Sequence, residues 1–234
     1  MSNSSLVSYT KLSPNYSVRT APISKITIHH MAGNYSLQSV GNSFANPSRQ
    51  ASSNYGIDSA GNIALYVDEK YRAWTSSNKT NDNVAVTIEV ANDGGAPEWH
   101  VSDAAYNALI SLVVDICKRN GIKKLNYTGT KSGNLTRHNM FAATNCPGKY
   151  LQGKFPQIAA EVNKRLAQNG AEKKSFLVKV TASALNVRAG AGVQHKINTV
   201  VKKNEVFTIV DELNGWGKLK SGAGWISLKY TERV

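Results

Sequence analysis

Cysteine is nearly missing from this 234-residue chain: Cys117 and Cys146 are the only two, so no disulfide framework holds it together. Acidic side chains are also scarce, 15 Asp+Glu against 28 Lys+Arg, which leaves a formal net charge of +13. There are no long hydrophobic runs. The longest unbroken one, Ile63 to Val67, is far shorter than the roughly 20 residues a membrane-spanning helix needs, so no membrane insertion is expected. The N-terminal MSNSSLVSYTKLSPNYSVRT has no apolar stretch after a basic start, and no secretory signal is read there. Yet 41% of the residues are hydrophobic and 18% charged, a composition that buries a core and excludes a wholly disordered polycation. The expectation is a soluble protein made in a reducing cytoplasm and attracted to something anionic.

Three classes of partner carry the matching charge: nucleic acid, an anionic membrane, and an acidic cell-wall polymer. Residues 1–170 hold 17 basic and 10 acidic side chains and residues 177–234 hold 9 and 4, so the excess is spread as +7 and +5 and forms no basic arm. No Cys/His zinc finger, RNP-type aromatic motif or long basic heptad region is present, and nucleic acid is not expected as a partner. Lys118, Arg119, Lys123 and Lys124 do cluster, but at an expected helix end, where cations favour the negative end of the dipole.

From Ser102, a suitable N-cap, Tyr106, Leu109, Ile110, Val113, Val114 and Cys117 recur at spacings of three and four up to Asn120-Gly121. This predicts a helix with Cys117 as a packed core thiol. Further helices are predicted over Phe155–Ala167 and Ser36–Ala45, and strands over Lys25–His30, Ile63–Val67, Val84–Ala91 and Lys124–Tyr127, with residues 59–62 as a hairpin turn. Interleaved strands and helices indicate an α/β domain with a mixed central sheet flanked by helices. Near residue 168 the pattern changes. A polar stretch is followed by short β-like runs, among them FLVKV, ALNVR, VFTIV and GWISL, separated by turn signals such as Asn214-Gly215. The expected organisation is an α/β domain over 1–168, a linker over 169–176 and a small all-β barrel over 177–234, with Trp216 and Trp225 in the barrel core.

Of the five histidines, His100 and His195 read as ordinary surface residues. His29 and His30 end an apolar strand just before Met31-Ala32-Gly33, where a scaffold presents site residues rigidly. Alternation along a strand lets only one of the pair face a given site, without saying which. His138 and Cys146 lie eight apart in RHNMFAATNCPG. Imidazole and thiolate are zinc ligands, and a catalytic zinc takes three from the protein, but the same pair fits a thiol hydrolase with Cys146 as nucleophile and His138 as base. Glu89 interrupts the apolar run VAVTIEVA, where a carboxylate is costly unless it faces a site, a cation or solvent.

His29 in ITIHHMAG, Glu89 in VAVTIEVAND and the segment TRHNMFAATNCPGKYL together resemble the zinc-dependent N-acetylmuramoyl-L-alanine amidases of phage lysozymes and peptidoglycan-recognition proteins, over roughly residues 20–165. The resemblance implies a Zn2+ cofactor bound by His29, His138 and Cys146, with Glu89 as general base. It also implies hydrolysis of the amide between N-acetylmuramic acid and L-alanine. Where many relatives carry a lysine that stabilises the oxyanion, this chain has Thr144, a donor without charge. A tyrosine used by phage lysozyme relatives falls on Ser53, with Tyr55 two residues off. Trp74 and Asn78 in YRAWTSSN correspond to a segment that often borders the substrate groove in relatives, and Trp74 equally suits a core position. ALNVRAGAG with the later GWGKLKSGAGWISLKY resembles bacterial SH3-like cell-wall-binding modules. Together the two halves imply a phage endolysin of a Gram-positive host. It is expected to act as a monomer on peptidoglycan and associated anionic wall polymers, held in the host cytoplasm until lysis. A Cys–His peptidoglycan peptidase and a non-catalytic peptidoglycan-recognition protein are the alternative readings.

Overall fold

A computed structural model describes residues 2–170 and 175–234. The chain divides into two compact units, Met1–Gln168 and Asn169–Val234. Within the expected linker, α4 (Lys149–Gly170) ends and β9 (Phe176–Val180) begins, and residues 171–174 lie outside the described residues.

The N-terminal unit runs β1 (Tyr9–Thr10), β2 (Tyr16–Val18), β3 (Lys25–His30), α1 (Leu37–Ala45), β4 (Tyr55–Ile57), β5 (Ile63–Leu65), β6 (Tyr71–Ala73), α2 (Lys79–Val84), β7 (Ala85–Val90), α3 (Asp103–Arg119), β8 (Leu135–Arg137) and then α4. Six strands form a sheet in the order β1-β5-β4-β7-β3-β8, while β2 and β6 pair apart from it. The sheet is mixed: β4 and β5 are antiparallel, and β3 runs parallel to both β7 and β8. Helix α3 is capped as its sequence requires, with Ser102 Oγ accepting the Ala105 N–H at 3.1 Å. Its apolar stripe, Cys117 included, joins Phe155, Ile158 and Val162 of α4 in one core with Ile26, Ile28, Val86 and Ile88 of the central strands.

Two local expectations are corrected. Lys124–Tyr127 forms no strand, because side chains take up its backbone groups. Asn163 binds both the Leu125 N–H and its carbonyl, each at 2.8 Å, and Asn134 Oδ1 accepts the Asn126 N–H at 2.6 Å. The third central strand is instead Leu135–Arg137, bonded to β3. Helix α2 was not expected, since KTNDNV has no apolar stripe. It forms because Asn78 caps it, its Oδ1 accepting the Asn81 N–H at 2.9 Å.

A buried ion pair ties the connection between β5 and β6 to α3. The Glu69 carboxylate, 1% exposed, accepts two bonds from Arg119 (2.6 and 2.8 Å), one from the Tyr55 hydroxyl (2.6 Å) and one from Asn120 (3.1 Å). Removing one member of such a group strands the others without partners. Glu69→Ala is expected to destabilise this unit by about 3–5 kcal/mol, read as a lower urea midpoint for its transition, with the transition of the C-terminal unit unmoved.

The C-terminal unit is a seven-stranded, wholly antiparallel sheet in the order β11-β10-β14-β13-β12-β9-β15. Its remaining strands are β10 (Ala184–Arg188), β11 (Ile197–Lys202), β12 (Val206–Leu213), β13 (Trp216–Leu219), β14 (Trp225–Ser227) and β15 (Thr231–Arg233). Asn214 and Gly215, at φ 48° and 77°, make the two-residue turn between β12 and β13. The core is Val178, Val180, Leu185, Val187, Val201, Ile209, Leu219 and Ile226. Trp216 and Trp225 are not in it. Alternation puts Gly217, Leu219 and Ile226 inside, so the two half-buried tryptophans fall on the outer face of the sheet with Lys218.

Candidate functional site

The two faces of the central sheet differ in chemistry. Along β3, β7 and β8, one face carries Ile26, Ile28, Val86, Ile88 and Leu135 into the helical core. The other face carries Thr27 and His29, Thr87 and Glu89, and Thr136. In register, Thr27 pairs with both Thr87 and Thr136, and His29 pairs with Glu89. His138 follows directly as the first residue of the 3-10 turn His138–Met140. One T-x-H/E pattern, repeated on three adjacent parallel strands, therefore sets a row of buried threonines behind a row of functional side chains. That second row lies at the carboxyl ends of the strands, where open α/β sheets bind ligands.

The threonine row has its hydrogen bonds made, as buried hydroxyls require. Thr27 Oγ1 lies 2.9 Å from Thr136 Oγ1 and accepts from Asn81, while Thr87 Oγ1 accepts the Asn54 N–H and meets Thr75 Oγ1 at 2.8 Å. Asp82, buried beneath the loop Trp74–Ser77, accepts the N–H groups of Thr75 and Ser76 at 3.1 and 3.0 Å and also binds the Ser76 hydroxyl. This loop is one wall of an open cleft of about 680 Å³. Met31, Ala32 and Tyr35 after β3, Phe44 and Arg49 around the end of α1, and His30, Glu89, His138, Thr144 and Cys146 also line it.

His138 and Cys146, which line the cleft, come together with the buried His29, one potential ligand atom from each lying within 4.8 Å of the others. His29 Nδ1 stands 3.6 Å from Cys146 Sγ and 3.9 Å from Glu89 Oε1, and the His29 and His138 ring centroids are 4.6 Å apart. Cys146 Sγ also accepts the His30 backbone N–H at 3.4 Å. Register decides between the adjacent histidines: His29 shares its face with Glu89, whereas His30 packs edge-on against Trp99 at 5.2 Å. Burial keeps both His29 and His138 below the usual imidazole range, His29 strongly, so the rings are neutral donors. Burial likewise pushes the Cys146 thiol up, with the Glu89 charge adding to it. Glu89, whose side chain is 15% exposed, is pushed up to about 8 by burial, an effect the Arg49 charge partly offsets.

His29 Nε2 and His138 Nε2 are buried without a hydrogen-bond partner, as is Glu89 Oε2. Two neighbouring rings each with an orphaned nitrogen, beside a cysteine sulfur, are otherwise costly, and a soft, tetrahedral-seeking cation relieves that cost. The N, N, S donor set fits zinc.

The other sequence-derived residues fall in different places. Thr144 lines the cleft, and its Oγ1 accepts the Cys146 N–H at 3.2 Å, which leaves its own O–H free to donate. Trp74 lines it too, its indole N–H held by Ser17 Oγ at 3.0 Å. Asn78 does not; its side chain is the cap of α2. Tyr55 points away, its hydroxyl committed to Glu69, and Ser53 bonds two carbonyls within the sheet. Sequence reasoning missed Tyr35 and Arg49, which carry no motif, and Thr75, which lies within YRAWTSSN beside Trp74.

A family model described as N-acetylmuramoyl-L-alanine amidase matches residues 19–149, and one described as bacterial SH3 domain matches residues 183–232. Among solved structures, Staphylococcus aureus hydrolase AmiA in complex with its ligand superposes with a TM-score of 0.56 at 14% identity, covering 69% of this chain and 84% of that one. A mutant endolysin from Bacillus subtilis gives 0.53 at 16% identity, covering 67% and 99%. A derivative of AmpD gives 0.52 at 19% identity, covering 67% and 96%. At these identities the likeness establishes the fold alone. No curated protein sequence matches the chain significantly.

Proposed function

The chain belongs to the N-acetylmuramoyl-L-alanine amidase family and is a peptidoglycan amidase joined to a bacterial SH3 domain; from that premise we propose that His29, His138 and Cys146 hold a zinc ion and that Glu89 is the general base. The observation that carries this reading is the convergence of three ligand atoms within 4.8 Å beside the unpartnered Glu89 Oε2. When bound, the ion supplies Lewis acidity, bringing the pKa of water toward about 7 and polarising the scissile carbonyl.

The protein's own groups do the rest. Glu89 takes the proton released as water attacks the lactyl carbonyl, then returns it to the L-alanine nitrogen as the C–N bond breaks. One C–O bond forms, one C–N bond is lost, and the carboxylate base is regenerated. Its burial suits the task, because a base poised near neutrality both accepts and donates a proton efficiently. The free O–H of Thr144 donates to the developing oxyanion, more weakly than a lysine at that position. Neutral His29 and His138 remain ligands. The thiol-peptidase alternative is less favoured by the geometry: Cys146 Sγ sits between the His29 ring and the His30 N–H at the cleft floor, hemmed in rather than presented for attack.

The test is digestion of purified peptidoglycan with wild type and Cys146→Ser, with the new termini read by mass spectrometry. Free stem peptides beginning with L-alanine are expected from wild type alone; new reducing sugars or cut cross-bridges would refute the reading.

The SH3 domain and the +13 charge of the whole chain support retention on a wall rich in anionic polymers. Raising salt from 50 to 500 mM NaCl is expected to release the protein from cell walls while cleavage of a small soluble muramoyl peptide stays unchanged. A parallel fall in both would show that the charge acts in catalysis instead. A phage endolysin acting as a monomer on a Gram-positive wall, released from the host cytoplasm at lysis, is the biological setting we propose for this pairing of domains. Among the described residues no helix is long and apolar enough to cross a membrane.

A further inference from the structure

Residues 1–168 contain six arginines, and five of them are engaged by the protein. Arg19 donates to four carbonyls, Arg72 to Ser17, Arg119 to Glu69, Arg137 to Tyr127 and Arg165 to Glu161. Among the described residues the Arg49 side chain alone of the six has neither a hydrogen bond nor an ion pair, and of these arginines it alone lines the cleft, where no lysine does. Its charge partly offsets the upward pull of burial on the Glu89 carboxyl.

The backbone that carries Arg49 is held in place, and its side chain is exposed. It closes the 3-10 turn Pro47–Arg49, whose start is capped by Asn46 Oδ1 accepting the Ser48 N–H at 3.0 Å. On the far side Gln50, left-handed at φ 51°, returns its side-chain amide to the Pro47 carbonyl at 2.8 Å. A rigid turn thus presents an exposed guanidinium, with no internal partner, to the space where substrate binds. A guanidinium fork is the side chain best matched to a carboxylate.

We propose that Arg49 reads a carboxylate on the peptide side of the scissile bond and so determines which stem peptides the enzyme prefers. This rests on the amidase reading above. In a muramoyl peptide the sugar is uncharged and its lactyl carboxyl is tied up in the amide, so every free carboxylate lies on the peptide side. The nearest is the α-carboxyl of the second residue when that residue is D-glutamate linked through its γ-carboxyl. Its α-amide, D-isoglutamine, is nearly the same shape without the charge.

The experiment compares soluble N-acetylmuramoyl-pentapeptides that differ only in carrying D-glutamate or D-isoglutamine at that position, cleaved by wild type, Arg49→Gln and Arg49→Lys. For Arg49→Gln, KM on the D-glutamate substrate is expected to rise about tenfold, the scale of one lost charge-assisted contact, with kcat and the D-isoglutamine kinetics unchanged. Arg49→Lys recovers part of the loss, since a point charge replaces a fork. Because Arg49 is exposed and unpartnered, both variants are expected to melt with wild type. Equal losses on the two substrates overturn the proposal. So does an effect confined to kcat or to its pH profile, which would assign Arg49 to Glu89 instead. If wild type cleaves neither substrate at the muramoyl–alanine bond, it is the amidase reading that has failed, and the inference falls with it.

Discussion

Glu89→Gln is expected to lower turnover by about a hundredfold to ten-thousandfold, the range a positioned general base contributes, and to leave the metal content of the protein unchanged. The substitution keeps the shape of the side chain and removes only its capacity to take a proton. Glu89 sits at the end of β7 beside His29, with one carboxylate oxygen unpartnered and few contacts that a glutamine would lose. The loss should therefore fall in kcat, with KM and thermal midpoint near wild type. A variant that keeps full activity with its metal bound would remove Glu89 from the mechanism. One that loses metal together with activity would make it a supporting group for His29.

Removing a ligand has the other large effect. Cys146→Ser or His138→Ala is expected to abolish cleavage of peptidoglycan and to lower bound zinc from about one ion per chain to a small fraction of that, by elemental analysis. In wild type, EDTA should stop the reaction and zinc should restore it. Metal binds the folded state, so the same chelation should lower the melting temperature of the N-terminal unit while sparing the SH3-like unit. Activity that survives chelation but is lost to a thiol alkylator would identify a thiol peptidase and overturn the metal reading.

Much of this fold and site is legible in the sequence alone, and for a definite reason. Strands β3 and β7 announce themselves by period-two alternation with β-branched residues, and α3 by its stripe from Tyr106 to Cys117 and its Ser102 cap. These signals are local, because each element's own periodicity and end residues carry them. Features supported by distant side chains were not legible. Lys124–Tyr127 has the composition of a strand, yet Asn163, nearly forty residues on, takes its backbone groups. The tryptophans of β13 and β14 look like core residues by size alone, but register with Gly217 and Ile226 turns them outward.

The sequence by itself determined two units of different class, the apolar faces of their main elements, and the residue types from which a hydrolytic site is built: histidine, histidine, cysteine and a glutamate in an apolar strand. Only the tertiary structure decided that His29 rather than His30 faces Glu89, because that depends on the in-register pairing of two parallel strands more than fifty residues apart. It alone turned three separate T-x-H/E segments into one row, assigned Asn78 to a helix cap, and left Arg49 as the uncommitted cation of the cleft. The scarcity of acid noted at the outset becomes specific at that point. Five of the unit's six arginines find partners within the fold, and the sixth is left for something outside it.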